Sequence, residues 1–141
     1  MKKIILLFSI LFITLSCTPD DDRKQFYMEF LPIESVELPE YFTPGSVNQV
    51  VVNYKKPDDC YSFNGWYYTS QGNTRTVAVQ ALVVEDNNCI PYEENRIFSS
   101  SFEFKAGMRP HDTSYLFKFY QGKDDSGNSV FLEIEVPVLH N

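Results

Sequence analysis

The stretch Val130-Phe131-Leu132-Glu133-Ile134-Glu135-Val136-Pro137-Val138 carries an apolar residue at every second position, with two carboxylates in between. Successive side chains of a β-strand point to opposite faces, so this spacing predicts a strand. Val130, Leu132, Ile134, Val136 and Val138 are expected to face a core, and Glu133 and Glu135 to face water. Upstream, residues 114–121 repeat the pattern, with Tyr115, Phe117 and Phe119 set against Leu116, Lys118 and Tyr120. The polar, glycine-containing residues 123–128 supply the turn between the two runs.

The same period runs back through most of the chain. Strands are expected at residues 33–38, 47–54, 61–70, 74–84 and 97–105, separated by turn and proline signals such as Pro39, Pro44-Gly45, Pro57 and Gln71-Gly72-Asn73. Residues 61–70 and 74–84 are close enough to form a hairpin. No stretch beyond the first residues has a helical period over ten positions. About seven short strands in one domain's length predict an all-β, antiparallel β-sandwich at residues 33–141. The strand order resembles immunoglobulin-like and fibronectin-type-III-like domains. It differs from antibody domains in its cysteines: Cys60 and Cys89 bracket the hairpin instead of joining two sheets across a core.

The N-terminus has a different grammar. Lys2 and Lys3 are followed by residues 4–15, apolar except for Ser9 and Thr14, and then by Ser16 and Cys17. A positive start, an apolar run and a small residue before the cut make an export signal. The run of about 12 residues is too short to cross a bilayer core, which takes roughly 20. Thr14-Leu15-Ser16-Cys17 resembles a lipobox, where bacterial lipoprotein processing acylates the cysteine and cleaves before it. The place three residues before the cysteine, usually Leu, holds Thr14. The resemblance implies a signal peptide at residues 1–16 and a membrane anchor at Cys17, whose acyl chains contribute about 0.8 kcal/mol per buried methylene.

Thr18-Pro19-Asp20-Asp21-Asp22 follows directly, and residues 17–32 read as a tether. The acidic run is similar to the short tag that sends Bacteroidetes lipoproteins to the outer face of the outer membrane. That resemblance implies a palmitate-bearing protein of the cell outer membrane facing the exterior. Within residues 20–32, Phe26, Tyr27, Phe30 and Leu31 are too apolar for a wholly free linker. They are expected either to pack on the sandwich or to add a short strand.

Charge and cysteines narrow the partners. The chain carries a net charge of −7, and removal of Lys2 and Lys3 takes it to −9. Such a surface repels phosphate backbones, so no nucleic-acid partner is expected. Anionic lipid is repelled too, which leaves anchoring to the acyl group. After Cys17 only Cys60 and Cys89 remain, and an even pair in an exported chain reads as a disulfide.

Catalytic patterns are sparse. His111 and Asp112 are adjacent in a loop after Pro110, where they form no evident acid–base pair, and no nucleophile elbow, zinc-binding His pair or phosphate loop is present. Asp124-Asp125-Ser126-Gly127-Asn128 resembles a calcium loop, with Glu135 twelfth from Asp124, but Ser129 stands where that loop wants glycine. A hairpin turn accounts for the same residues. No enzyme activity, cofactor or metal is expected.

Aromatic residues make up 16% of the chain, and Trp66-Tyr67-Tyr68 puts rings on both faces of one strand. Large aromatics often simply fill a sandwich core. Their other use is as a ligand-binding surface, and Trp66, Tyr67 and Tyr68 are the candidate residues. The sequence thus predicts a non-enzymatic binding or structural module for a protein or extracellular polymer partner. A carbohydrate-binding accessory lipoprotein of a glycan-uptake system is the alternative. The hairpin at residues 61–70 and the loops at 85–95 and 107–112 are the expected contact regions.

Overall fold

A computed structural model describes residues 24–108 and 113–140. The expected signal peptide, Cys17 and the first part of the tether, residues 17–23, therefore lie outside the described residues, as do His111 and most of the loop at 107–112. The described residues form eight strands and no helix: β1 (Phe26–Leu31), β2 (Ile33–Glu37), β3 (Val47–Tyr54), β4 (Tyr61–Gln71), β5 (Thr74–Val84), β6 (Phe98–Lys105), β7 (Ser114–Lys123) and β8 (Ser129–Pro137). They build an all-β sandwich with a five-stranded sheet facing a three-stranded one.

The small sheet runs β2-β3-β6, all antiparallel. In the large sheet β5 is the hub. Its one edge pairs with β4 in the expected hairpin. Its other edge is shared: β1 pairs antiparallel with residues 79–84, and β7 pairs parallel with residues 74–77. β8 then follows β7 in an antiparallel hairpin. The parallel pairing departs from a purely antiparallel sheet and has a simple cause. The chain leaves β5, reverses through β6 in the opposite sheet, reverses again, and so re-enters beside β5 in its original direction.

The residues of the tether that looked too apolar to be free form β1. Pro32 then passes the chain from one sheet to the other, with Leu31 and Ile33 both buried on either side of it. Each of these residues faces the core from a different sheet. Between the sheets lie Val50, Val52 and Phe104 on one side and Val77, Val79, Ala81, Phe117 and Phe119 on the other. Phe104 and Phe117 meet edge-on at 5.1 Å, and Phe117 stacks on Phe119 at 5.7 Å. These are offset and edge geometries that aromatic rings prefer.

Burial along β8 is uneven. Val136 and Val138 are buried as expected, Leu132 and Ile134 are half-buried, and Val130 is exposed. β8 is the edge of the wider sheet, so the small sheet does not reach over its first residues. Its far end is covered by the connection between β2 and β3. Phe42 there is fully buried, donates its backbone N–H to Pro137 O at 2.8 Å and accepts from Leu139 N at 2.8 Å.

Cys60 and Cys89 are joined, with their Cα atoms 5.6 Å apart. The bond closes the open end of the β4–β5 hairpin, where Val84 N also donates to Cys60 O.

Candidate functional site

Three consecutive aromatics of β4 serve two different surfaces. Phe63 lies opposite Ala81 and Trp66 opposite Val79, so three steps along β4 match two along β5. The extra residue is a bulge at Asn64-Gly65, where Gly65 takes φ of +93°. Without it, Phe63 and Trp66 would face opposite ways. With it, Tyr61, Phe63, Trp66 and Tyr68 all turn to the side of the core, and Tyr67 alone turns outward.

On the outer face of the large sheet Tyr67 joins an array. β5 offers Thr76 and Ala78 there as a low floor. Tyr67 stands beside Ala78, and Phe30 of β1 stands across the strand from it at 5.1 Å between ring centres. Phe30 meets Tyr120 of β7 at 5.8 Å, and Tyr120 meets Phe131 of β8 at 6.1 Å. The four rings cross the whole sheet and border a depression of about 260 Å³. Ala78 faces outward yet is only 2% exposed. The rings around it therefore exclude water although, among the described residues, no second sheet covers this face. Phe26 and Met28 extend the apolar surface along β1 and are exposed. Lys118 sits 5.6 Å from the Phe131 ring and pairs with Glu133 at 2.8 Å, giving the array a charged border.

The sequence marks Phe30 only as part of an over-apolar tether, and singles out neither Tyr120 nor Phe131 as a site residue. Their signal is phase: Tyr120 and Phe131 occupy positions where alternation calls for a polar residue, and Phe30 shares the outward face of β1 with Phe26 and Met28. An aromatic in the water-facing phase of three neighbouring strands marks a surface and not a core.

Trp66 and Tyr68 open instead on the flank between β4 and β6, into a cleft of about 430 Å³. Trp66 packs edge-on against Phe102 at 5.1 Å, and Tyr68 does so at 6.2 Å. Arg75 crosses the back of the cleft, 4.9 Å over the Tyr115 ring, and donates through Nη1 to Gly72 O and Thr74 O. Burial pushes the Tyr68 hydroxyl above its ordinary range, against an opposing pull from Arg75. Ser70, Glu103 and Lys105 complete the rim.

The loop at 85–95 is held down at the disulfide end. Asp59 accepts from Ile90 N at 2.8 Å, Tyr92 N donates to Pro57 O, and the Tyr92 ring packs on Phe98 at 5.0 Å. Lys56 and Arg96 both lie over the Tyr92 and Phe98 rings. Burial, and then repulsion from Arg96, hold the Lys56 amine below the usual lysine range. Asp58 and Asp59 come close to Cys60 and Cys89, but both sulfurs are spent in the disulfide. The two carboxylates accept backbone N–H bonds of the loops they join. Asp124 behaves likewise in the β7–β8 turn. Its Oδ1 accepts from Asn128 N at 2.8 Å and Ser126 N at 2.9 Å, and these bonds hold its carboxyl below the usual range.

The chain matches no family model, no curated protein and no solved structure. Its surfaces have to be read from their own chemistry.

Proposed function

We propose that this protein is a lipoprotein of the cell outer membrane, held by acyl chains on Cys17 and facing the exterior, whose sandwich is a non-enzymatic module that binds a protein partner. The aromatic array Tyr67–Phe30–Tyr120–Phe131 carries the reading. A contiguous apolar face on an exported domain exposes surface that water disfavours, and a partner that covers it recovers that free energy. Neighbouring rings tilt against one another by 47° to 69°, so they share no plane on which a sugar could lie flat. Side chains of a protein fit such a ridged face better. The acidic tether supports the reading by giving the domain reach from the membrane.

A photo-crosslinking residue in place of Tyr67 on intact cells tests it. A discrete adduct is expected whose mass exceeds the chain by that of another protein, and Phe30→Ser should remove it. The same probe in place of Glu37, on β2 at the far edge of the small sheet, should give no such adduct. Equal adducts from both positions, or an adduct indifferent to Phe30→Ser, would refute the assignment.

A further inference from the structure

We propose a second docking site, distinct from the outer face: the free edge of β6 and the cleft beside it take an extended, acidic segment of a partner polypeptide as an added strand of the small sheet.

The two flanks of the sandwich are unequal. On the flank beyond β8, the segment carrying Phe42 bonds to residues 137 and 139 and closes the gap between the sheets. On the opposite flank β6 ends the small sheet and β4 ends the large one. β4 overhangs there. Phe63 and Tyr68 point to the side of the core, yet they remain 41% and 44% exposed. Phe102 gives Trp66 and Tyr68 a ring contact, and beyond it the small sheet stops. A strand laid about 4.8 Å outside β6 would cover these rings at ordinary sheet spacing.

The edge of β6 suits such a guest. One row of its backbone groups pairs with β3 over all eight residues, no strand among the described residues pairs with the other row, and the cleft lies along residues 102–105. Main-chain bonds to that row give affinity in strand addition, and alternate side chains give selectivity. The guest's inward side chains would rest on Trp66 and Tyr68. Its charge follows from the rim, where Arg75 and Lys105 outnumber Glu103 on a chain of net charge −7. The cleft therefore leans positive and prefers acidic neighbours. A second copy meeting this one symmetrically through β6 would bring its own Arg75 and Lys105 against the same residues here, and that like charge opposes pairing of copies. A saccharide is disfavoured by the rings themselves, since Trp66 and Tyr68 both meet Phe102 edge-on and form no shared platform.

The probe is a phage-displayed library of random peptides of about nine residues, one strand's reach, selected against the full-length lipidated protein in detergent micelles. Winners are expected to alternate apolar residues and to carry Asp or Glu. N-methylation of alternate backbone amides should weaken a resynthesised winner about tenfold or more on one edge of the peptide and leave binding intact on the other. Trp66→Ala and, as a milder change, Tyr68→Ser should each weaken it by about tenfold, and Lys105→Glu should shift selection toward Lys and Arg. Phe30→Ser should leave it unchanged, which separates this site from the outer face. The proposal is overturned by failure to select any peptide, by equal effects of methylation on both edges, or by indifference to both Trp66→Ala and Tyr68→Ser. It is equally overturned if a glycan array shows saturable binding lost in those variants, or if the free protein self-associates through this edge and Lys105→Glu alters the association.

Discussion

Gly65 decides which way Trp66 points. Its φ of +93° is a conformation that residues with a Cβ rarely adopt, and a Cβ built there meets nothing within 4 Å. Gly65→Ala should therefore cost only backbone strain, about 1–3 kcal/mol, in chemical denaturation. Unchanged stability would mean that the bulge relaxes without penalty. Tyr61 offers a pH test. Burial, and then hydrogen bonding with Tyr27 and Glu29, raise its hydroxyl well above the ordinary tyrosine range. The unfolded chain releases this proton near pH 10 while the folded chain keeps it. The contribution is thus complete below pH 10 and is lost as pH rises further. Tyr61→Phe should flatten the alkaline fall in melting temperature, leaving the smaller part due to Tyr68, whose hydroxyl is raised too. An alkaline slope identical in Tyr61→Phe would remove Tyr61 from this account. The three aromatics of β4 were legible in the sequence as a two-faced group. The bulge that sorts them was not, because a lone glycine within a strand pattern marks neither its own φ nor the register of its partner.

Among the elements, the β4–β5 hairpin was legible throughout, since both strands alternate and the disulfide brackets them. The chain-entropy model assigns the bond about 3–4 kcal/mol for the 29 residues it spans. Replacing Cys60 and Cys89 together by Ser should lower unfolding stability by that amount and leave the β signature of circular dichroism in place. A fully unfolded double variant would show that the hairpin depends on the bond for its structure and not only for its stability. β1 was legible only as an anomaly. Its outward phase, Phe26, Met28 and Phe30, is as apolar as its inward phase, so period two disappears from it. The same excess of apolar residues makes β1 part of the candidate site. The parallel pairing of β5 with β7 had no trace in either strand, because alternation reports which face is buried and not which neighbour lies alongside.

For the whole molecule, the sandwich followed from alternation summed over seven strands, whereas the membrane anchor is a proposal that rests on the order of charge, apolar run and cysteine. The anchor is tested by Cys17→Ser, which should abolish fatty-acid labelling and move the domain from the membrane fraction to the soluble one. Continued labelling would place the lipid elsewhere. The flank closures were beyond the sequence, because Phe42 is a single buried residue in a connection with no periodic neighbours. Its role and that of Tyr68 make a matched comparison. Both are aromatic, both face the space between the sheets, and they sit at opposite flanks. Phe42 is fully buried against Phe104, Tyr115 and Phe117, so Phe42→Ala should cost about 3–5 kcal/mol through lost contacts and a cavity. Tyr68 is 44% exposed in the open cleft, where truncation removes less buried surface and water can fill the space. Tyr68→Ala should cost about 1 kcal/mol or less. Equal costs for the two would mean that the β4–β6 flank is as closed as the other in solution, and that no room remains there for an added strand.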